Sequence, residues 1–425
     1  MYNLSGKKLL ILGANVETIP LIETAKSMGV FVLVTDFNPD APAKKYANKS
    51  YDVDGLNISG LIDLCKKENI DGALVGVADR LIWSYFEVCN ALNFPCYATK
   101  EQCEYFTNKQ KFNQLCSDFG IPTIPNYNIS YLKEELEEIK FPVFVKPTDA
   151  NSGKGMSICS NPIELKEGVK KALLFSKSQT FLIERYMQCD DMFIYYTFKD
   201  GDIFVSAIAN RYTTTEQGNV SRVCIGAIYP STYVKLYFDT LHDKMLAMFK
   251  SVGIRNGIFM ISAFVENDTI HLYDPGFRLQ GEAPNIVVHA LSGFDHYSML
   301  VNFSLTGSMG TDNLISMNDC SFNGMKAATL WILSKAGKIE SINGIDNLYK
   351  NPNVIKVSQR LFEGDIVGQD MVGTEAQVLA RIYIKANNSD ILLREITEVQ
   401  NNINAFNPEG ENLLLTGLDT SILNN

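Results

Sequence analysis

The chain has 425 residues, 46% of them hydrophobic, and carries 38 Lys+Arg against 48 Asp+Glu for a formal charge of −10. That length exceeds what one hydrophobic core usually supports, so two or three cores are expected. The acidic balance, with no long basic run to offset it, speaks against a nucleic-acid partner, while a pocket for a small anion still needs only a few local cations.

Nothing approaches the roughly 20 apolar residues of a membrane span, and the apolar run at 9–12 is too short for a signal peptide, so a cytoplasmic protein with no membrane partner is expected. The nine cysteines form no CxxC pair and several fall inside apolar patterns, which predicts reduced core thiols rather than disulfides or zinc.

The opening alternates short apolar strands with helices: strand 8–12, a turn at Gly13-Ala14-Asn15, helix 16–28 stopped by Gly29, strand 30–35, helix 58–69, strand 72–77 and helix 80–92. Such alternation implies a parallel sheet covered on both faces. A boundary falls near 101–106. Residues 108–119 then read as a helix, 141–146 as a strand and 149–155 as a polar, glycine-containing turn. Asn161-Pro162 opens a further helix as N-cap and first helical residue. Strands are predicted at 180–186, 192–198 and 203–209, and a hairpin over 256–277 that turns at Glu266-Asn267-Asp268. From 311 onward the pattern is β-rich, with turns at Gly337, Gly344, Gly364 and Gly410 and an amphipathic helix over 374–386. The expected organisation is α/β at the start and α+β after it, with units 1–106, 107–310 and 311–425.

Several residues could carry chemistry. Lys146 ends the apolar run Phe141-Pro142-Val143-Phe144-Val145-Lys146-Pro147, where an ammonium must find a partner or reach solvent. Lys109 stands near a helix start. Triphosphate oxygens would satisfy either lysine; snorkelling to the surface is the alternative. The loop Asn151-Ser152-Gly153-Lys154-Gly155-Met156 can bring backbone N–H groups and one cation close to phosphate, although an ordinary hairpin turn has the same composition. Farther on, the apolar run to Ile183 leads into Glu184-Arg185-Tyr186-Met187 and Asp190-Asp191, which could hold a base and a ribose or simply be an edge strand.

In this order and spacing the segments resemble the ATP-grasp superfamily, and the likeness covers nearly the whole chain. The resemblance implies a Rossmann-like N-terminal domain, an ATP-grasp central domain and a C-terminal β-rich lid domain similar to that of biotin carboxylase. It assigns Lys109, Lys146 and the loop Ser152, Gly153, Lys154, Gly155 and Met156 to the phosphates, and Glu184, Arg185, Tyr186 and Met187 to the adenine. Asp191 takes the ribose, with Asp190 as the alternative. Family members usually present Glu-x-Asn-Pro-Arg at the metal; here the stretch is Tyr273-Asp274-Pro275-Gly276-Phe277-Arg278. Asp274 takes the carboxylate position, whereas the partner strand shows Met260 and Ser262 where a second acid is expected, and Glu266 lies in the turn. One Mg²⁺ held by Asp274 and phosphate oxygens is the expectation. Arg278, able to clamp a carboxylate and neutralise a transferring phosphoryl group, and Lys154 are the expected catalytic groups, and Arg211 joins Arg278 as a substrate contact.

The resemblance therefore implies an ATP- and Mg²⁺-dependent carboxylate–amine (or –thiol) ligase. It would act on small molecules through an acylphosphate, release ADP and phosphate, and could be a homodimer. A nucleotide-binding protein without ligase chemistry is the rival, motivated by the missing second carboxylate. The histidines at 242, 271, 289 and 296 show no metal spacing, and Gly13-Ala14-Asn15 is no dinucleotide fingerprint despite Asp36. Asp79-Arg80, after a strand end, could line a substrate pocket, with a helix cap as the simpler account.

Overall fold

The computed structural model of the chain describes residues 4–127, 139–148, 155–214, 223–315 and 320–421. Four short strands, β1 (Lys8–Leu12), β2 (Phe31–Thr35), β3 (Lys49–Tyr51) and β4 (Gly72–Val75), make a parallel sheet in the order β3-β2-β1-β4. The runs Leu9 to Leu12 and Val32 to Val34 are fully buried, as expected of a parallel sheet covered by helices. Helices Ile19–Ser27 and Ile82–Leu92 supply part of that cover, as do the turn Pro42–Tyr46 and, from much later in the chain, helix His296–Thr306.

Gly72 is where this late helix comes closest. A Cβ there would lie 2.0 Å from the Ser304 carbonyl oxygen, a backbone atom that cannot swing away. Gly72→Ala is therefore expected to lower the unfolding free energy by about 1–3 kcal/mol through overpacking. A chemical denaturation midpoint equal to that of the parent would show that the helix shifts without cost.

The next layer is small. Strands β5 (Asn126–Tyr127), β6 (Val143–Pro147), β7 (Ser157–Cys159) and β8 (Phe181–Arg185) form an antiparallel sheet in the order β5-β8-β6-β7. Helix Pro162–Phe175 packs on it, started as predicted by the Asn161 side chain, which accepts from the Ile163 and Glu164 N–H groups. Beyond it run β9 (Asp190–Lys199), β10 (Asp202–Thr213), β11 (Cys224–Tyr229), β12 (Gly257–Glu266) and β13 (Thr269–Gly276). They form an antiparallel sheet in the order β13-β12-β9-β10-β11, which continues without a break through Lys326–Leu333, Val378–Ala386 and Val354–Gln359 to eight strands. The predicted hairpin turn is present, with Asn267 and Asp268 both at positive φ.

One element differs from the sequence-based expectation. Residues 374–386 are not an amphipathic helix: a single 3₁₀ turn, Glu375–Gln377, leads into strand Val378–Ala386, and the amphipathic helix follows at Ser389–Asn402. The strand lies inside the sheet and is buried on both faces, so its apolar run shows no two-residue alternation. Arg381 and Lys385, four apart, imitate the polar stripe of a helix.

The nine cysteines are free thiols, and burial pushes those of Cys65 and Cys103 up to about 12. Among the described residues no helix is long and apolar enough to cross a membrane.

Candidate functional site

The small sheet faces the β12–β13 hairpin across a cleft, and register decides which side chains enter it. Because β6 and β8 pair with Phe144 opposite Glu184, Phe144, Lys146 and Glu184 share one face. The Lys146 ammonium does not snorkel to solvent. It forms an ion pair with Glu184, the two side chains being 11% and 7% exposed. Lys109 opens helix Lys109–Asp118, capped by Asn108. Its ammonium is held below the usual lysine range, first by burial and then by Lys146, with Asp274, Glu184 and Asp79 acting in opposition. Two cations and three carboxylates from five segments thus converge.

Asp274 reaches this cluster through a bulge. Pairing on β13 passes from Tyr273 opposite Ser262 to Pro275 opposite Ile261, which leaves Asp274 as the extra residue, at φ +50°. A bulge of this kind redirects a side chain, and Asp274 lines a cavity of about 230 Å³ together with Lys109, Lys146, Met156 and Glu184. Gly155, at φ +76°, packs where a Cβ would strike Phe175 and Pro147. Ser152, Gly153 and Lys154 lie outside the described residues.

A second cavity of about 330 Å³ shares Ile124, Phe144, Lys146, Glu184 and Tyr273 with the first, so the two are parts of one cleft. Its walls include the apolar faces of Tyr186, Met187 and Phe264. Arg185 turns its guanidinium to Glu266 at the end of β12, and its N–H donates to the Pro125 carbonyl at 2.8 Å. The Tyr186 N–H is likewise taken by Pro142 at 3.2 Å.

Asp191 stands on this wall, directly across the sheet from Arg211 and Phe264. Both its oxygens accept the Tyr273 hydroxyl, at 3.1 and 3.0 Å. Arg211 donates to Ser262 at 3.1 Å and pairs with Glu282 at 3.0 Å. Burial would lower its pKa, but Glu282 and Asp191 outweigh that and hold the guanidinium charged. Asp190 instead accepts the Tyr233 hydroxyl and lines neither cavity.

Arg278 is buried just beyond β13, donating to the Leu279 carbonyl at 2.7 Å and to Gln280 at 2.8 Å. It also pairs with Asp79, 199 residues away, so Asp79 is not the helix cap that offered the simpler account. Sequence reasoning missed Glu282 and Glu375, which line the larger cavity, and Glu17, Arg360 and Arg381, the two arginines pairing with both Glu375 and Glu17. No local motif marks these five, because each is defined by a partner on another element. None of the four histidines lines either cavity; His296 is a buried core residue bonded to Thr197 at 2.7 Å. Among the described residues no group of three or more His, Cys, Asp or Glu is arranged to hold a metal ion.

Four known proteins or families are similar to the chain. Residues 108–202 match the family described as the ATP-binding domain of the carbamoyl-phosphate synthase L chain. The formate-dependent phosphoribosylglycinamide formyltransferase of Ignicoccus hospitalis is 26% identical over 200 residues, which is 44% of this chain and 48% of that protein. The chain thus spans about half the length of that curated relative. Two crystal structures share the fold. Phosphoribosylglycinamide synthetase from Anaerococcus prevotii has a TM-score of 0.74 at 18% identity, covering 94% of this chain and 99% of that one. The biotin carboxylase domain of Hydrogenobacter thermophilus 2-oxoglutarate carboxylase, a dimer in complex with MgADP, ADP and bicarbonate, has a TM-score of 0.75 at 15% identity, covering 96% and 91%. Residues 108–202 thus match a carbamoyl-phosphate-synthase-type ATP-binding domain, and nearly the whole chain shares its fold with phosphoribosylglycinamide synthetase and a biotin carboxylase domain.

Proposed function

We propose that the chain is an ATP-dependent ligase that joins a small-molecule carboxylate to an amine or thiol through an acylphosphate. The observation that carries this reading is the convergence of Lys109, Lys146 and Asp274 on one cleft whose other end has apolar walls at Tyr186, Met187 and Phe264. Such a cleft suits an anionic polyphosphate at one end and a flat apolar base at the other. With the Arg185 N–H already committed to Pro125, the base would meet this segment at the Arg185 carbonyl and the Met187 N–H. Lys146 and Lys109 would hold phosphate oxygens, with the lysine of the 152–154 segment as a further cation. Asp191 would accept ribose hydroxyls.

In the reaction a substrate carboxylate oxygen attacks the γ-phosphorus while the bond to the β–γ bridging oxygen breaks, and ADP leaves. The nucleophile then attacks the acyl carbon, the carbon–oxygen bond to phosphate breaks, and the nucleophile's proton is lost to solvent or a neighbouring base. Arg278, four residues after Asp274 and paired with Asp79, would neutralise charge on the transferring group. The residues present fit one Mg²⁺. Asp274 offers an exposed hard-oxygen donor on the cleft wall, and Mg²⁺ would need few further protein ligands, since water and the nucleotide's phosphates commonly supply the others. When bound it would offset charge on the phosphates.

The test is release of ADP and phosphate from the purified protein with ATP, Mg²⁺ and pooled carboxylates and amines. Turnover that requires one acid–nucleophile pair and falls by at least about a hundredfold in Asp274→Asn, the range seen when a charge-stabilising group is removed, is expected. A second reading, nucleotide binding without ligation, is favoured by one observation: β12 sets Ile261 and Ser262, not a carboxylate, opposite the bulge that carries Asp274. Under it Asp274→Asn would leave nucleotide affinity intact and no acid would elicit phosphate release.

A further inference from the structure

Glu375, which lines the larger cavity, belongs to an ion-pair cluster for which the ligase reading has no role. Arg360 and Arg381 converge there on a single carboxylate oxygen of Glu375, with Arg360 at 3.1 Å and Arg381 closer. Glu17, in the turn after the first strand, pairs with the same two arginines at 3.3 and 3.5 Å. The cluster is neutral, with two guanidiniums against two carboxylates.

Its members are mounted very differently. Arg381 rises from a strand inside the eight-stranded sheet. Its side chain is 5% exposed, its guanidinium lies 5.5 Å from the Trp331 ring, and it donates to the Gly281 carbonyl. Glu17 is 11% exposed. Glu375, by contrast, is 50% exposed on a three-residue 3₁₀ turn whose neighbours Thr374 and Ala376 are also exposed. Moving a short exposed turn disturbs little packing, whereas moving Arg381 would open the sheet. If Glu375 swings away from the cavity wall, the cluster behind it is left one positive charge in excess, and its two guanidinium forks match an oxyanion.

We propose that Glu375 is an internal stand-in for a substrate oxyanion, closing a two-arginine clamp of Arg360 and Arg381 until a carboxylate or phosphate group displaces it. Glu375 then acts as a selectivity device: a neutral ligand cannot replace it, and a weakly held anion loses to it. The word substrate rests on the ligase reading, but the clamp is tested without ATP or turnover.

The experiment is calorimetric titration of the full-length chain with inorganic phosphate and, separately, with acetate. The proteins compared are the parent, Glu375→Gln and the double variant Glu375→Gln/Arg360→Gln, each checked for a cooperative unfolding transition. Glu375→Gln should bind one or both probes at least about tenfold more tightly than the parent, as expected when an internal competitor is removed. The gain should vanish in the double variant, which separates the clamp from phosphate binding at Lys109 or Lys146. A gain confined to acetate identifies a carboxylate-bearing substrate, and a gain confined to phosphate identifies a phosphorylated one. If folded Glu375→Gln shows no gain with either probe, or the gain persists without Arg360, Glu375 is a structural brace and the proposal falls. Failure of nucleotide binding or turnover in the parent would overturn the ligase reading alone.

Discussion

Lys146→Ala is expected to weaken nucleotide binding by about ten- to a hundredfold, the worth of a hydrogen bond to a charged group. It should also destabilise the fold by about 3–5 kcal/mol, because removing one partner of a buried ion pair strands the other. The stranded group is Glu184, whose side chain is 7% exposed and was paired with the lost ammonium. These two effects are separable. Adding Glu184→Gln to Lys146→Ala replaces the uncompensated charge with a neutral amide of the same shape and should recover much of the stability, while nucleotide affinity stays low. Urea unfolding and calorimetric titration of both variants measure the two quantities. Full stability in Lys146→Ala would mean that Glu184 finds other partners, and unchanged affinity would remove this lysine from the phosphate site. An ion pair inside an otherwise apolar sheet gains little net stability from its attraction alone. Its location at the junction of the two cavities suits a ligand that enters between the partners.

Acidification should expose a different weakness. His296 is fully buried, its Nε2 within 2.7 Å of the Thr197 hydroxyl, and burial pushes its pKa down to about 4, with nearby Asp295 resisting. In the unfolded chain the same imidazole titrates near 6.5. Between those values the unfolded state binds a proton that the folded state refuses, so stability rises with pH across this window and falls as pH is lowered through it. The loss from this residue should reach about 3 kcal/mol by pH 4, since each tenfold difference in proton affinity between the two states is worth about 1.4 kcal/mol. Neutral conditions lie above the window and leave the contribution intact. Denaturant titrations at pH 7, 6, 5 and 4 should show the decline, and His296→Gln should flatten the part that belongs to this side chain. A variant as acid-sensitive as the parent would assign the decline to carboxylates.

Much of the fold is legible because it is local. The strand–helix alternation of the first 92 residues, the Asn161-Pro162 helix start and the hairpin turn at Asn267-Asp268 each follow from residues within a few positions of one another. Lys146 at the end of its apolar run could be singled out for the same reason: a charge there demands a partner wherever the chain goes. Asp274 was visible as an acid in a hairpin, yet the bulge that aims it was not, since a bulge is a property of two strands in register and not of one.

What only the tertiary structure decided is who meets whom. Asp79 and Arg278, Glu17 and Arg381, and Gly72 and Ser304 are each brought together from more than 190 residues apart. No periodicity encodes such pairs, because a side chain's pattern records whether it is buried and not against what. Strand 378–386 shows the same limit from the other side. Buried on both faces, it lost the alternation that distinguishes a strand, and two cations four residues apart supplied a helical stripe in its place. Composition and local chemistry thus determined the elements and the residue types suited to a phosphate cleft. Their assembly into one cleft, and the choice of Glu375 rather than solvent to cover two arginines, came from long-range packing, where the free energy of burial selects among partners that the local chain cannot see.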